Sequence, residues 1–145
     1  TLSDEQAAQV RQWIDGGGTL CIDAAGGSQA AAQASAAMVK QIFPQEVLRP
    51  LASSDGIISG RNLPGGAHNN RRVEYRYYAL RQMGPTSSPR LQVILADQRP
   101  ALIYSPEDLT AGLAGLEHWG IFGYSVESAR KLTTNIVLSV LADPQ

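Results

Sequence analysis

Apolar residues recur every three or four positions at the start of the chain, which is the spacing of one face of an α-helix. The residues in this pattern are Ala7, Val10, Trp13 and Ile14. Ser3 lies where an N-cap is expected, and Gln6 follows three positions later, as in a capping box. Glycines at 16–18 favour the end of a helix, because glycine readily adopts the left-handed backbone conformation found there. The pattern therefore predicts a helix that begins after Ser3 and ends before Gly16.

A short apolar run, a turn of small residues and a second helix follow. Residues 19–22 have the mostly apolar character of a buried strand, which ends at Asp23. Small residues at 24–28 predict a turn, and the alanine-rich residues 29–42 predict a helix. This order of helix, strand, turn and helix favours an α/β sheet with helices packed on its faces.

The rest of the chain alternates between strand-like runs and glycine-rich loops. Strand patterns occur at 46–51, 73–80, 91–95 and 101–104, and the loops lie at 53–70 and 112–123. A closing helix is predicted over 126–141. Its apolar side is formed by Ala129, Leu132, Ile136, Val137 and Val140. Because no repeat or internal linker divides the sequence, we expect residues 1–145 to form a single domain.

Composition and charge limit the classes of function. A chain of 145 residues with 43% hydrophobic and 17% charged residues is typical of one globular domain with a sizeable core. The formal net charge of -1 gives no electrostatic reason to expect a nucleic acid partner. No apolar run approaches the roughly 20 residues that span a bilayer, so we expect no membrane insertion by this segment. The single cysteine, Cys21, excludes an internal disulfide.

The chain begins at Thr1, directly before the first predicted helix and without an initiator methionine. This start indicates a fragment or terminal module of a longer polypeptide, in which a first strand of the sheet would precede Thr1. The mature start of a processed protein is the alternative. As a module, the chain would have other domains of its parent polypeptide, or a separate protein, as its partners.

Polar residues follow the two strand patterns that end near Asp23 and Ser105. Ligands of open α/β sheets bind beyond the carboxyl ends of the strands. Asp23 precedes two glycines and a helix N-terminus, whose free amide groups attract anions or polar ligands. A carboxylate that caps the turn or the helix is the alternative. The predicted ligand-binding residues are Asp23, Gly26, Gly27, Ser105 and Asp108.

Ser105, Glu107 and Asp108 place one hydroxyl and two carboxyl groups just past the end of a strand. Nucleophilic catalysis by Ser105 would need a base within hydrogen-bond reach, and His118 and His68 are the candidates. The catalytic candidates are therefore Ser105, Asp108 and His118. The same composition is also typical of an ordinary turn, in which serine and acidic side chains bond backbone amides.

The sequence gives no reason to expect a metal or a cofactor. Asp23, Asp108 and His118 form a conceivable cluster of hard ligands, but their spacing is not diagnostic of any metal site. The glycine signature of a dinucleotide site and the phosphate-binding P-loop are both absent. We therefore predict neither a bound metal nor a cofactor.

Two further groups of residues are candidates for binding. Arg71 and Arg72 could hold a partner's acidic group through their guanidinium forks, or they could form a solvated loop face. Trp119, Phe122 and Tyr124 lie among glycines, where they would form either an exposed recognition loop or an aromatic plug that closes the sheet.

Several short motifs in this order resemble domain-of-unknown-function family 4159 over almost the whole chain. They lie at 16–23 (GGGTLCID), 42–44 (IFP), 73–76 (VEYR), 104–109 (YSPEDL), 123–125 (GYS) and 135–137 (NIV). The resemblance implies the fold of the class I glutamine amidotransferase-like superfold, a flavodoxin-like three-layer sandwich with a mostly parallel sheet between helices. It also implies a terminal module of larger bacterial proteins, and no assigned activity.

Cys21 departs from the catalytic pattern of that superfold. Where the superfold is catalytic, its cysteine stands on a sharp elbow between strand and helix, with a histidine partner. Cys21 instead lies between Leu20 and Ile22 with no glycine elbow, so we expect a buried structural cysteine. We therefore predict a non-catalytic ligand-binding or protein-interaction module. A hydrolase that uses Ser105 or acidic residues at the carboxyl ends of the sheet is the alternative.

Overall fold

A four-stranded sheet with helices on both of its faces organises the computed structural model, which describes residues 2–142. The helices are α1 (Asp4–Asp15), α2 (Gln29–Ile42), α3 (Gly56–Ser59), α4 (Tyr77–Met83), α5 (Thr110–Leu113) and α6 (Val126–Leu141). The strands are β1 (Leu20–Asp23), β2 (Arg49–Pro50), β3 (Gln92–Ala96) and β4 (Arg99–Ser105). The mixed α/β class and most of the predicted elements are thereby confirmed.

The sheet is mostly antiparallel, so the prediction of a mostly parallel sheet is wrong for the described strands. The strand order is β1-β4-β3-β2, and only β1 and β4 run parallel. β3 and β4 are joined by Asp97 and Gln98, which both have positive φ angles, 49° and 70°. A two-residue turn of this kind can only join antiparallel neighbours.

Alternate residues of the strands face two separate apolar clusters. In β4, Ile103 belongs to a cluster with residues of α3, α4 and α6, whereas Leu102 belongs to a cluster with residues of α1 and α2. Neighbouring side chains of a strand point to opposite faces of the sheet. Both faces of the central strands β3 and β4 are therefore covered.

The capping box at the start of α1 is present as predicted. The Ser3 hydroxyl accepts a hydrogen bond from the Gln6 backbone amide at 3.2 Å, and the Gln6 side chain accepts one from the Ser3 amide at 2.9 Å. These bonds satisfy two amides that have no partner within the helix.

We expect Ser3→Ala to lower the free energy of unfolding by about 1 kcal/mol, because the cap bond is lost. Ser35→Ala in the middle of α2 is the matched control, since alanine is the better helix former there and stability should be kept or slightly raised. Urea denaturation of both variants checks the difference. Equal stability of the two variants would contradict the role of the cap.

The predicted strand over 73–80 is wrong, because the chain forms helix α4 from Tyr77 onward. Aromatic residues favoured a strand, and Tyr75 does make one isolated bridge, to Tyr124. Further along, Ala79, Leu80 and Met83 turn toward the apolar cluster at helical spacing. Burial of these three residues therefore outweighs the strand preference of the aromatic ones.

The predicted loop over 53–70 is held to the domain rather than free at the surface. It contains α3, whose Ile57 and Ile58 are buried. The buried Asn135 of α6 donates to the carbonyls of Ile57 and His68, at 2.8 and 2.7 Å, and accepts from the His68 amide at 2.8 Å. A fully bonded asparagine of this kind gives a loop a defined position.

Cys21 is exposed, so the expectation of a buried cysteine is wrong. In β1, the Ile22 side chain packs in the core. The Cys21 side chain points to the opposite face of the sheet, because side chains alternate along a strand. β1 also lies at the edge of the sheet. In residues 2–142 no helix has the length and apolarity that a bilayer crossing requires.

Candidate functional site

A cleft of about 460 Å³ lies beyond the carboxyl ends of β1 and β4. The two strands are parallel neighbours, and Asp23 at the end of β1 is paired in register with Ser105 at the end of β4. This is the position at which open α/β sheets bind ligands. The cleft is lined by Gly26, Gly27, Ser28, Gln29, Ala32, Tyr78, Gln82, Arg90, Pro106, Glu107, Gly120 and Phe122.

Asp23 bonds the protein's own backbone. Its Oδ2 atom accepts hydrogen bonds from the amides of Leu109 and Thr110, both at 2.8 Å. These amides lie at the start of α5, so the carboxylate ties the end of β1 to that helix. The geometry is that of a backbone cap, and a ligand-binding role for Asp23 stays a prediction.

Asp108 also bonds backbone amides, through both of its carboxyl oxygens. Oδ1 accepts from Ala111 N at 2.6 Å, and Oδ2 accepts from Gly26 N at 2.5 Å. The side chain is buried, at 3% exposure. Asp108 therefore joins the turn after β1 to the segment after β4, and these two segments supply two walls of the cleft. Charge-assisted bonds to a buried carboxylate are among the stronger ones in proteins.

The glycine turn after β1 requires glycine at Gly27. Gly26 and Gly27 have φ angles of 67° and 62°, in the left-handed region that other residues avoid. A Cβ atom on Gly27 would lie 1.6 Å from the carbonyl oxygen of Phe122, whereas one on Gly26 would meet nothing within 4 Å. Close approach of the Phe122 backbone is thus possible only because residue 27 has no side chain.

Ser105 is not arranged as an activated nucleophile. Its side chain is fully buried, and its hydroxyl donates a hydrogen bond to the Glu107 carbonyl at 2.7 Å. His118 is exposed, and the His68 backbone is bonded to Asn135 on α6. Within residues 2–142 no hydrogen bond joins Ser105 to either histidine. A Ser–His pair is therefore not assembled in this structure.

Glu107 lines the cleft, but unlike Asp108 its carboxyl group does not accept a hydrogen bond from a backbone amide of another described residue. Its side chain is 1% exposed, and neither oxygen accepts a hydrogen bond from the described residues. Arg90 Nη1 lies 3.2 Å from Oε1, which makes an ion pair without hydrogen-bond geometry. Buried carboxyl oxygens without donors are rare in native structures and call for an explanation.

Burial is the main influence on the titration of Glu107. It raises the pKa of Glu107 above its ordinary value of 4.5, although the Arg90 guanidinium, the backbone amide of Glu107 and the Tyr124 hydroxyl act in the opposite direction. Burial, and then the charge of Glu107, raise the pKa of Tyr124 to about 12 and raise that of Tyr104. Both phenols therefore keep their protons at neutral pH. A buried carboxyl with a raised pKa beside a cleft is a feature of functional sites.

We expect the stability of the protein to fall as pH rises through the raised pKa of Glu107. Below about pH 4.5 the carboxyl group is neutral in both the folded and the unfolded protein, so its burial costs least there. Above that pH the carboxyl group loses its proton first in the unfolded protein, which stabilises the unfolded state relative to the folded one. Glu107→Gln removes this contribution, so its stability relative to the unmodified protein should increase with pH. Urea denaturation from pH 4.5 upward measures this difference.

The exposed Glu117→Gln is the control for that titration, and its stability should follow that of the unmodified protein at every pH. If the free energy of unfolding of Glu107→Gln differs from that of the unmodified protein by the same amount at every pH, Glu107 titrates alike in the folded and unfolded states.

Aromatic side chains lie at the mouth of the cleft. The rings of Tyr78 and Trp119 meet edge to face at 5.1 Å, and Trp119 is 82% exposed. A second cleft of about 330 Å³ is lined by Tyr77, Tyr78, Arg81, Gln82 and Trp119, and it shares Tyr78 and Gln82 with the first. Tyr124 is instead buried against Tyr75, with ring centroids 4.7 Å apart. Of these aromatic residues, Trp119 is therefore exposed and Tyr124 is part of the core.

The remaining candidate groups lie apart from the cleft lining. Arg71 donates a hydrogen bond to the Ser53 carbonyl at 3.0 Å, and Arg72 is exposed. Cys21 is exposed at the surface, but neighbouring atoms still remove much of the water around its thiol. This desolvation, and then the negative charge of Asp23, raise the pKa of the thiol to about 11. A thiol with this pKa stays protonated and is a poor nucleophile at neutral pH.

Arg90, Tyr78 and Gln82 line the cleft, although no pattern in the sequence indicated them. They come from the segment before β3 and from α4, the helix that was predicted as a strand. Over the described part of the chain, no group of three or more His, Cys, Asp or Glu side chains is placed to hold a metal ion.

Comparison with known proteins gives one match. A family model described as Domain of unknown function (DUF4159) matches residues 1–141. The searches of curated proteins and of solved structures returned no match to this chain.

Proposed function

The chain belongs to the family of domains of unknown function DUF4159, and from the geometry of its cleft we propose that it is a non-catalytic module that binds a small polar ligand. The Glu107 carboxyl group carries this proposal. Its oxygens are buried, its residue lines the cleft, and no described residue donates to it with full hydrogen-bond geometry. Leaving such a group unbonded costs about 1–3 kcal/mol, and a ligand that donates to it would recover this free energy.

The lining offers a ligand both acceptors and donors. Glu107 is the acceptor, whereas the Arg90 guanidinium and the Gln29 side-chain amide are donors. The Ala31 and Ala32 amides of α2 are already bonded to Ser28. A ligand that carries both kinds of polar group therefore fits the cleft better than one with acceptors alone.

Binding without catalysis is favoured by the state of the nucleophiles. The Ser105 hydroxyl is buried and already donates to a carbonyl, and the Cys21 thiol is protonated at neutral pH. Neither residue has a bonded base among the described residues. Covalent catalysis needs such a base, or a lowered pKa of the nucleophile.

One observation favours the hydrolase alternative, with Glu107 in place of Ser105. Burial raises the pKa of Glu107, and buried carboxyl groups with raised pKa values serve as general acids or bases in enzymes. Incubation of the protein with each ligand that binds, followed by product analysis, separates the two functions. Turnover that Glu107→Gln abolishes would establish the enzyme, and unchanged ligand would support the binding module.

We also propose that the domain is a variant of the flavodoxin-like, amidotransferase-like superfold. Support comes from the parallel pair β1 and β4, from helices on both faces of the sheet, and from the cleft beyond the strand ends. The antiparallel strands β2 and β3 would then be the departure from that superfold.

A thermal-shift screen tests the proposed binding directly. The panel holds neutral sugars, nucleosides, amino acids and small carboxylates, each with unmodified protein, Glu107→Gln and the exposed control Glu117→Gln. A ligand at one hundred times its Kd adds about 2.7 kcal/mol, which is several degrees in Tm for a domain of this size. We expect the shift to be lost in Glu107→Gln and kept in Glu117→Gln. An equal shift in all three proteins would place binding elsewhere.

A further inference from the structure

Among residues 2–142, two charged side chains line the first cleft, and they have opposite charges. Arg90 and Glu107 form an ion pair at 3.2 Å. Within this pair each charge already has its counter-charge, so the described lining leaves no uncompensated charge for a phosphate, carboxylate or ammonium ligand. A ligand without net charge is therefore the best electrostatic match.

The uncharged polar residues of the lining can each donate and accept hydrogen bonds. Gln29 and Gln82 present amide groups, and Ser28 presents a hydroxyl whose oxygen already accepts from Ala31 N at 3.1 Å. A ligand hydroxyl also donates and accepts, so it can pair with an amide, with the Glu107 oxygens or with the Arg90 guanidinium. Several hydroxyls on one ligand would satisfy this mixed lining without any charge.

The aromatic residues at the mouth supply an apolar contact for such a ligand. Trp119 is 82% exposed and contacts the edge or face of Tyr78, which lines both clefts. Large exposed aromatic surface beside a pocket marks a binding site, because a ligand gains free energy by covering it. A sugar ring has an apolar face of C–H groups and a rim of hydroxyls, so it matches the aromatic mouth and the polar interior together.

We infer that the ligand is a neutral carbohydrate, bound with its hydroxyls on Glu107 and Arg90 and with a ring face on Tyr78 and Trp119. The inference rests on the proposed function, and it names the class of molecule that the cleft takes.

The second cleft adjoins the first through Tyr78 and Gln82, so the site has room for more than one sugar ring. Arg81 in the second cleft lies over the Tyr77 ring, and its guanidinium can donate to sugar hydroxyls. An oligosaccharide therefore fits it better than a monosaccharide.

Calorimetric titration of the full chain with cellotriose, maltotriose, mannotriose and triacetylchitotriose tests the inference. At least one of these trisaccharides should bind, and Trp119→Ala should weaken that binding tenfold or more. Trp13→Ala is the matched control, because Trp13 is also exposed but lies on α1, away from the cleft lining. Its Kd should stay within twofold of the unmodified protein. Both tryptophans are exposed, so both variants are expected to fold.

The other outcomes separate this inference from the proposed function. Binding of a nucleoside, an amino acid or a carboxylate that depends on Glu107, with no binding of any trisaccharide, would overturn the carbohydrate inference and leave the ligand-binding function standing. Trisaccharide binding that is unchanged by Trp119→Ala would overturn the assigned contact. Failure of every compound in both panels to bind would overturn the inference and the proposed function together.

Discussion

Gly27→Ala is expected to lower the free energy of unfolding by about 3 kcal/mol or more, the largest effect of any single substitution considered. Two costs add at this position. A non-glycine residue in the left-handed region costs about 1–2 kcal/mol, and overpacking a closely packed site costs about 1–3 kcal/mol. The added Cβ would lie 1.6 Å from the Phe122 carbonyl oxygen, so the backbone of one segment must move.

Gly26→Ala is the matched control for this effect. Residue 26 has nearly the same φ angle, 67° against 62°, but nothing lies within 4 Å of its added Cβ. Only the conformational cost of about 1–2 kcal/mol remains. Urea denaturation of both variants measures the difference, which isolates the steric contact with Phe122. Equal losses would mean that the contact can relax and that the turn is not tightly packed against Phe122.

Asp108→Asn is expected to cost about 3 kcal/mol, because the two Asp108 oxygens accept from different backbone amides. An asparagine has one oxygen, so its amide nitrogen must face either Gly26 N or Ala111 N. Two donors then meet in a buried site, and one backbone amide loses its acceptor.

Asp23→Asn provides the comparison that isolates this geometry. Both of the amides that bond Asp23 are accepted by the single atom Oδ2, so the oxygen of an asparagine can replace it. We expect a loss of about 1 kcal/mol, mainly from the lost charge. Urea denaturation at neutral pH measures both variants. A loss for Asp108→Asn no larger than that for Asp23→Asn would contradict the role of Asp108 as a link between two segments.

Local sequence signals predicted the three long helices well, and the short helices and the sheet poorly. Periodic apolar residues and end signals predicted α1, α2 and α6 within a residue or two, because the signals act within each segment. The hairpin between β3 and β4 lacked the usual Asn-Gly or Asp-Gly signal, since its turn is Asp97 and Gln98. Strand direction depends on that turn, so the parallel arrangement was overestimated.

The location of the cleft could be predicted, but the residue that matters most in it could not. Strand ends at Asp23 and Ser105 indicated the correct edge of the sheet. Glu107 and Asp108 are adjacent carboxylates in the sequence, yet one lines the cleft and the other bonds backbone amides. Which way each side chain points depends on the glycine turn and on Arg90, and these groups are close only in the folded chain.

The carbon-13 NMR signal of the Glu107 carboxyl group, assigned by its absence in Glu107→Gln, is the measurement that tests the central claim most directly. We expect its titration midpoint to lie above 4.5, and its chemical shift to move when a ligand from the thermal-shift screen is added. The carboxyl signals of Asp23 and Asp108 should move much less, because their bonds to backbone amides are already made. A midpoint at or below 4.5, or a ligand that moves the Asp23 and Asp108 signals and leaves Glu107 unchanged, would contradict the assignment of Glu107 as the centre of the site.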